Sequence, residues 1–241
     1  IELTSDGKAF LIYVNRILKI YHEMDNQFLN LKNTLPKEIH FGVSTTAANY
    51  ILPKIIATYK SQYPKVNVDI KSGNSEEIES LILKEQLHFG ITEGNNSNRQ
   101  LHFEKFIKDE IVLVTKVKNN AIKNNVVDKI MLQELPIVER ELGSGTRDVI
   151  YKYLKEHNVD KLNSTLHLSS TEAIKNYLYH SDSYALISIN AVSEDLMSNK
   201  LKIIDIKDIS MERWFYFVSR KGYQSQIMTH FKNYVRSSYN F

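Results

Sequence analysis

The 241-residue chain contains no cysteine, and it has only one tryptophan, four prolines and eight glycines. The absence of cysteine excludes a disulfide scaffold, a thiol nucleophile and thiolate metal ligands. The longest apolar runs have the length of strands, and the N-terminus lacks a basic region followed by a short apolar block. The sequence therefore predicts neither a membrane span nor an export signal, and we expect a cytoplasmic protein without membrane contact.

A concentration of one charge sign is also missing. The formal net charge is only +3, and the 31 lysines and arginines are scattered along the chain. This mild excess favours anionic ligands, but nucleic-acid binding would need a basic stripe on one face. The length suffices for one large domain or for two small ones that each bury a core.

The first 35 residues carry the apolar pattern of a long helix. Thr4, Ser5 and Asp6 offer N-caps, and Pro36 ends the pattern. Apolar residues recur between them at spacings that alternate between four and three, which is typical of a helix that packs on a partner helix: Phe10, Val14, Ile17, Tyr21, Met24, Phe28, Leu31 and Leu35. We predict one helix over residues 3–35 that dimerises. The alternative is a helix that folds back on its own domain.

From Glu38 onward, short strand patterns alternate with helix patterns, which predicts an α/β sheet with crossover connections. Separate strands are predicted over residues 101–106 and 110–116, and Ser75 is expected to cap the helix that follows it. A stretch rich in Lys and Asn over residues 116–125 predicts a surface crossing and a change of domain. We therefore predict a linker helix (residues 1–37), a first subdomain (38–115 and 219–241) and a second subdomain (116–218) inserted in the first.

Two strand-to-helix corners are rich in small hydroxyl residues. One is Gly143-Ser144-Gly145-Thr146, and the other is Ser44-Thr45-Thr46. Backbone N–H groups and hydroxyls at a helix start bind small anions. Taken alone, the glycines are explained equally well as turn residues and Thr146 as an N-cap. Together, the two corners predict the facing walls of a binding cleft.

Catalytic candidates are few. Four histidines lie on or beside predicted strands: His40, His88, His102 and His167. None has metal-ligand spacing to carboxylates, and no phosphate-binding Gly-x-x-x-x-Gly-Lys motif occurs. Glu93 and Glu141 lie near the predicted cleft, but a helix cap or a salt bridge at its rim is favoured over acid–base work. We therefore expect no catalytic residue, no metal and no cofactor.

The order of these motifs resembles the linker helix and effector-binding domain of a LysR-type transcriptional regulator over nearly the whole chain. Leu3–Gly7 is similar to the end of that family's winged helix. Glu139–Arg147 resembles the REPGSGTR motif of one branch, with Leu142 in place of the proline, and Ser170–Ile174 and Ala185–Ser188 also fit. The resemblance implies an α/β fold of two Rossmann-like subdomains around a central cleft, as in type 2 periplasmic binding proteins.

The resemblance also implies a site and partners. By position, the residues expected to hold the effector are Ser44, Thr45, Thr46, Thr92, Ser144, Gly145, Thr146, Arg147 and Ser170. The effector would be a small anionic metabolite or an inorganic oxyanion that acts allosterically on a homodimer or homotetramer. We expect the chain to be part of a longer protein. Promoter DNA would be contacted through an N-terminal domain of that protein, which this chain lacks.

Two other classes share this fold. A solute-binding protein of a transporter is disfavoured by the heptad pattern and by the missing export signal. A bilobal enzyme is disfavoured by the small number of catalytic candidates.

Overall fold

The structure is a computed structural model that describes residues 4–7, 10, 13–14, 17, 38–94, 98–223 and 226–238. Ser5–Gly7, Phe10, Tyr13, Val14 and Ile17 are helical. Most of the helix predicted over residues 3–35, and with it most of the heptad seam, lies outside the described residues. Within the described ranges, no helix is both long enough and apolar enough to cross a membrane.

Strands and helices alternate along the described chain as the sequence predicts. The strands β1 to β10 are Glu38–Ser44, Asn67–Gly73, Phe89–Glu93, Leu101–Lys116, Val126–Val127, Pro136–Arg140, Asn163–Leu168, Ala185–Ser188, Leu201–Ile206 and Met211–Arg220. The helices α1 to α8 are Thr45–Tyr50, Leu52–Gln62, Ser75–Leu83, Lys129–Glu134, Gly145–Glu156, Thr171–Leu178, Ile189–Met197 and Gln226–Ser238.

A mixed sheet has the strand order β2-β1-β3-β10-β4-β9-β5, and β8 also pairs with β4. Strand β1 is parallel to β2 and β3, whereas β10 is antiparallel to β3 and β4. Strands β6 and β7 form a separate parallel pair, which a bridge between Ile137 and Tyr184 joins to the start of β8. The fold is α/β, with β4 and β10 as its two long central strands.

The buried side chains form clusters on either side of the middle of β4 and β10. One group packs Phe41, Phe89 and Phe217 against α2 and α8. A second packs Ile111 and Met211 with α4, α5 and β8, and two smaller groups lie around Ile78 and around Ile187. We call β1–β3, α1–α3 and α8 lobe I and β5–β9 with α4–α7 lobe II. We propose that these lobes are the two predicted subdomains, joined by β4 and β10.

Two local predictions are wrong. Residues 101–116 form one strand of 16 residues rather than two strands, because Asp109 is buried and paired within the strand instead of turning the chain. Helix α3 is capped by Asn74 rather than by Ser75. Asn74 Oδ1 accepts from Glu77 N at 2.9 Å while Glu77 Oε2 accepts from Asn74 N at 3.0 Å, which is a capping box.

Candidate functional site

Four strands, β1, β6, β7 and β8, lead into helices whose N-cap is a serine. Three of the serine hydroxyls accept a backbone N–H of their own helix: Ser44 from Ala47 at 3.4 Å, Ser170 from Ala173 at 3.1 Å and Ser188 from Asn190 at 3.2 Å. Ser144 rather than Thr146 is the N-cap of α5, and the Ser144 hydroxyl makes no capping bond. Helix starts carry partial positive charge and exposed N–H donors.

Arg140, the last residue of β6, connects the helix starts of the two lobes. Its side chain is almost fully buried, at 2% exposure. The guanidinium donates from Nη2 to Thr45 Oγ1 of lobe I at 3.0 Å and from Nη1 to Thr171 Oγ1 of lobe II at 3.4 Å. Glu141 neutralises it through two bonds of 2.8 and 2.9 Å. A second contact between the lobes lies nearby, where Tyr50 Oη donates to Glu172 Oε1 at 2.5 Å.

A buried polar network surrounds Arg213 at the junction of β4 and β10. Asp109 accepts from Arg213 Nε at 2.7 Å, from Ser188 Oγ at 2.8 Å and from Asn190 Nδ2 at 2.7 Å. Arg213 Nη1 also donates to Thr146 Oγ1 at 2.8 Å. The central strands are thereby tied to the starts of α5 and α7.

Glu93 ends β3 and belongs to the same network. Its Oε1 accepts from Thr146 Oγ1 at 3.1 Å and lies 3.8 Å from Arg213 Nη1. Gly145 packs so tightly on this strand end that an added Cβ would lie 1.7 Å from the Glu93 carbonyl oxygen and 2.5 Å from Ser75 Oγ. The two lobes therefore touch at backbone level where Gly145 meets Glu93.

Unsatisfied polar atoms concentrate along this boundary between the lobes. Buried side-chain atoms without a hydrogen-bond partner include Thr46 Oγ1, Ser75 Oγ, Glu93 Oε2, Ser144 Oγ and Arg213 Nη2. Folded proteins normally pair such groups, since each unpaired one costs about 1–3 kcal/mol. Their concentration between helix starts is a property expected of a polar ligand site.

Two of the predicted site residues, Thr92 and Arg147, contact side chains of their own lobe. The Thr92 hydroxyl donates to Glu79 Oε1 at 3.4 Å. The Arg147 guanidinium stacks on the Tyr151 ring, with its carbon 4.5 Å from the ring centroid. The other seven predicted site residues lie at the helix starts described above: Ser44, Thr45, Thr46, Ser144, Gly145, Thr146 and Ser170.

Arg140, Asp109 and Arg213 were not among the predicted site residues. Arg213 occupies an inward position of β10, because Met211, Arg213, Phe215 and Phe217 alternate and are all buried. A charged residue in the apolar register of a strand needs a buried partner. This alternation was the available signal, and it also marks Asp109 on β4.

An acidic group lies beside the boundary, between α3 and α5. Burial raises the pKa of Glu79 from 4.5 to about 7, opposed by the hydrogen bond from Thr92 and reinforced by the charges of Asp148, Glu76 and Glu93. Burial also raises the pKa of Asp148. Negative charges of both lobes therefore face each other here.

We expect Glu79→Gln to stabilise the protein above neutral pH. The folded carboxyl holds its proton more tightly than the unfolded one, so stability is lost as pH rises from about 4.5 to 7. Allowing for partial exposure, the gain at pH 8 should be on the order of 1 kcal/mol, and it should vanish near pH 4.5. Urea unfolding at both pH values measures it, with the exposed Glu110→Gln as control. An equal gain at both pH values would contradict the assignment.

Three of the four histidines considered as catalytic candidates contact side chains that do not belong to these helix starts. His40 Nδ1 lies 2.8 Å from Asp69 Oδ2, and His88 stacks on Tyr223. His167 Nε2 lies 3.4 Å from Glu139 Oε2 on β6. Among the described residues, no group of three or more histidines and carboxylates is arranged to hold a metal ion.

The mixed α/β sheet, with helix starts on both sides of one boundary, is the architecture predicted for type 2 periplasmic-binding-protein-like domains. The sequence model of the LysR substrate binding domain matches residues 32–240. The chain belongs to this family, which confirms the resemblance and the predicted fold class.

Known relatives are similar over most of their length. The chain is 25% identical to a probable RuBisCO transcriptional regulator of Phaeodactylum tricornutum over all of this chain and 80% of the relative. It is 26% identical to the HTH-type transcriptional regulator CysL of Bacillus subtilis over 95% of this chain and 75% of the relative. The regulatory domain of Synechocystis CcmR, solved in complex with 2-PG, has the same fold, with a TM-score of 0.75 at 22% identity over 84% of this chain and 97% of that one.

Proposed function

We propose that this chain senses a small anionic metabolite or inorganic oxyanion at the boundary between its lobes and transmits the binding to a DNA-binding segment of a LysR-type regulator. The observation that carries the proposal is Arg140, a buried guanidinium between the starts of α1 and α6, with the unpartnered hydroxyls of Thr46 and Ser144 on the two sides of the boundary. Helix starts, hydroxyls and a neutralised guanidinium select anions without adding a large net charge.

The proposed mechanism is a shift in population. The lobes touch at Gly145, so an effector reaches the buried hydroxyls only when the lobes separate. The lobes then close on the bound anion, which stabilises this closed placement. A differential affinity of about 1–3 kcal/mol between the placements is the usual scale of allosteric coupling.

The regulator acts in the cytoplasm, binds its effector without turning it over, and assembles as a homodimer or homotetramer. The relatives, which are transcriptional regulators, support the first two statements. A helix-mediated dimer is supported by two helical residues one heptad apart, Phe10 and Ile17. Their apolar side chains are left exposed, at 69% and 66%. Sedimentation tests the assembly, and a monomer at micromolar concentration would contradict it. Product analysis after incubation with a bound ligand tests the absence of turnover.

We expect Thr46→Val to weaken anion binding without destabilising the ligand-free protein. The variant removes a buried hydroxyl that has no partner and keeps the shape of the side chain, so its unfolding free energy should stay the same or rise by up to about 1 kcal/mol. The anion loses one hydrogen bond, which should reduce affinity about fivefold. Thermal shift and calorimetry with sulfate, phosphate and small mono- and dicarboxylates measure both effects.

Thr58→Val is the matched control, because Thr58 is exposed on α2 and its hydroxyl donates to Lys54 O at 3.0 Å. It should leave anion binding unchanged. A binding anion that responds equally to Thr46→Val and Thr58→Val would refute the site.

A further inference from the structure

The network around Arg213 contains more negative charge than positive. Asp109 and Glu93 are both buried, and Arg213 is the one cation that pairs with them in the described part of the chain. Glu79, whose pKa is raised by burial and further by the charges of Asp148, Glu76 and Glu93, lies beside the same region. Buried carboxylates without full compensation are strongly disfavoured.

The two carboxylates differ in how well they are satisfied. Asp109 accepts three hydrogen bonds, from Arg213, Ser188 and Asn190. Glu93 accepts one hydrogen bond on Oε1, and its Oε2 has no partner although the side chain is 2% exposed. The carboxylate of Asp109 is therefore hydrogen-bonded within the protein, whereas the Oε2 oxygen of Glu93 remains available to a ligand.

Unpartnered donors also belong to Arg213, which approaches Glu93, and to Ser144, which precedes the glycine that packs on the Glu93 carbonyl. Arg213 Nη2 and Ser144 Oγ are also buried and unpartnered, and Arg213 and Glu93 approach to 3.8 Å. Thr146 joins them, because its hydroxyl bonds to both. An unpaired acceptor beside unpaired donors is complementary to a ligand that carries an ammonium next to a carboxylate.

We propose that the effector is an amino acid, whose ammonium group binds Glu93 Oε2 and whose carboxylate binds the donors of Arg213 and Ser144. This inference rests on the proposed function and narrows the ligand of that site from a carboxylate or oxyanion in general to a carboxylate that also carries an ammonium group. A ligand carrying only negative charge would leave the Glu93 carboxylate unpaired and would be repelled by it.

The experiment compares wild-type protein with Glu93→Gln, first without ligand and then with matched acids. Without ligand, Glu93→Gln should raise the melting temperature by about 2–6 °C, because it removes an uncompensated buried charge and keeps the acceptor for Thr146. With ligand, each of the common L-amino acids is compared with its α-hydroxy and deamino analogues by thermal shift and calorimetry. At least one amino acid should bind the wild type about tenfold more tightly than its analogues, and Glu93→Gln should reduce this preference to about twofold or less.

Two results would overturn the inference while leaving the proposed anion site intact. One is a lower melting temperature of ligand-free Glu93→Gln, which would make Glu93 a structural partner of Arg213 and Thr146. The other is tighter wild-type binding of the hydroxy or deamino acid than of its amino acid. If no acid, sulfate or phosphate binds at all, the proposed function fails together with this inference.

Discussion

Asp109→Ala is expected to lower the free energy of unfolding by about 3–5 kcal/mol, which corresponds to about 10 °C in melting temperature for a chain of this size. Asp109 has no exposed side-chain surface and is the acceptor for Arg213, Ser188 and Asn190 at once. Removing it leaves the buried donors of Arg213 and Ser188 without this acceptor, whereas the exposed Asn190 can bond to water instead. The loss is expected at the junction of the lobes, where β4 and β10 meet the start of α7.

Glu110→Ala provides the matched control, because Glu110 is the exposed neighbour of Asp109 on the same strand. It should change the unfolding free energy by less than about 0.5 kcal/mol. The double variant Asp109→Ala/Arg213→Leu should lose more stability still, because Arg213 is also the cation beside Glu93 and its removal leaves that buried carboxylate unpaired. Urea unfolding of the variants, followed by circular dichroism, measures all three. A change of less than about 1 kcal/mol for Asp109→Ala would show that the network adds little to stability.

The secondary structure of this chain is largely predictable because most of its elements are locally specified. Alternating apolar residues predict β1, and the spacing of Leu52, Ile55 and Tyr59 predicts α2, both of which the structure confirms. The errors arise where a tertiary contact overrides the local pattern. Lys108-Asp109 has the composition of a turn, but the donors that surround Asp109 keep it inside a strand.

The site was only partly predictable for the same reason. The small-residue corners at Ser44 and Ser144 follow from strand ends and helix caps, which the sequence displays directly. The contacts of Arg140 and Arg213 join residues as far as 95 and 104 positions apart, to Thr45 and Asp109 respectively. Such pairs depend on how the lobes dock, which a single sequence does not encode in any local pattern.

Gly145→Ala is expected to separate the lobes and to reduce anion binding by about tenfold or more. The new Cβ would lie 1.7 Å from the Glu93 carbonyl oxygen, whereas real contacts of this kind stay beyond 3.0 Å, so the start of α5 must move away from β3. Backbone atoms on the Glu93 side cannot rotate out of the way as a side chain would. Overpacking of this kind costs about 1–3 kcal/mol, or more when the backbone must shift.

The displacement of α5 also predicts a specific loss of function. Ser144 and Thr146 flank Gly145, so a shift of the helix start moves both hydroxyls away from the opposite wall and breaks the bond from Thr146 to Glu93. Calorimetry with the anions that bind wild-type protein measures the loss. Gly222→Ala is the control, because it strains a backbone at φ +77° without bringing the new Cβ within 4 Å of any heavy atom beyond its chain neighbours. Full anion affinity in Gly145→Ala would mean that the effector does not need the close contact between α5 and β3, and the helix starts could then not be the two walls that hold it.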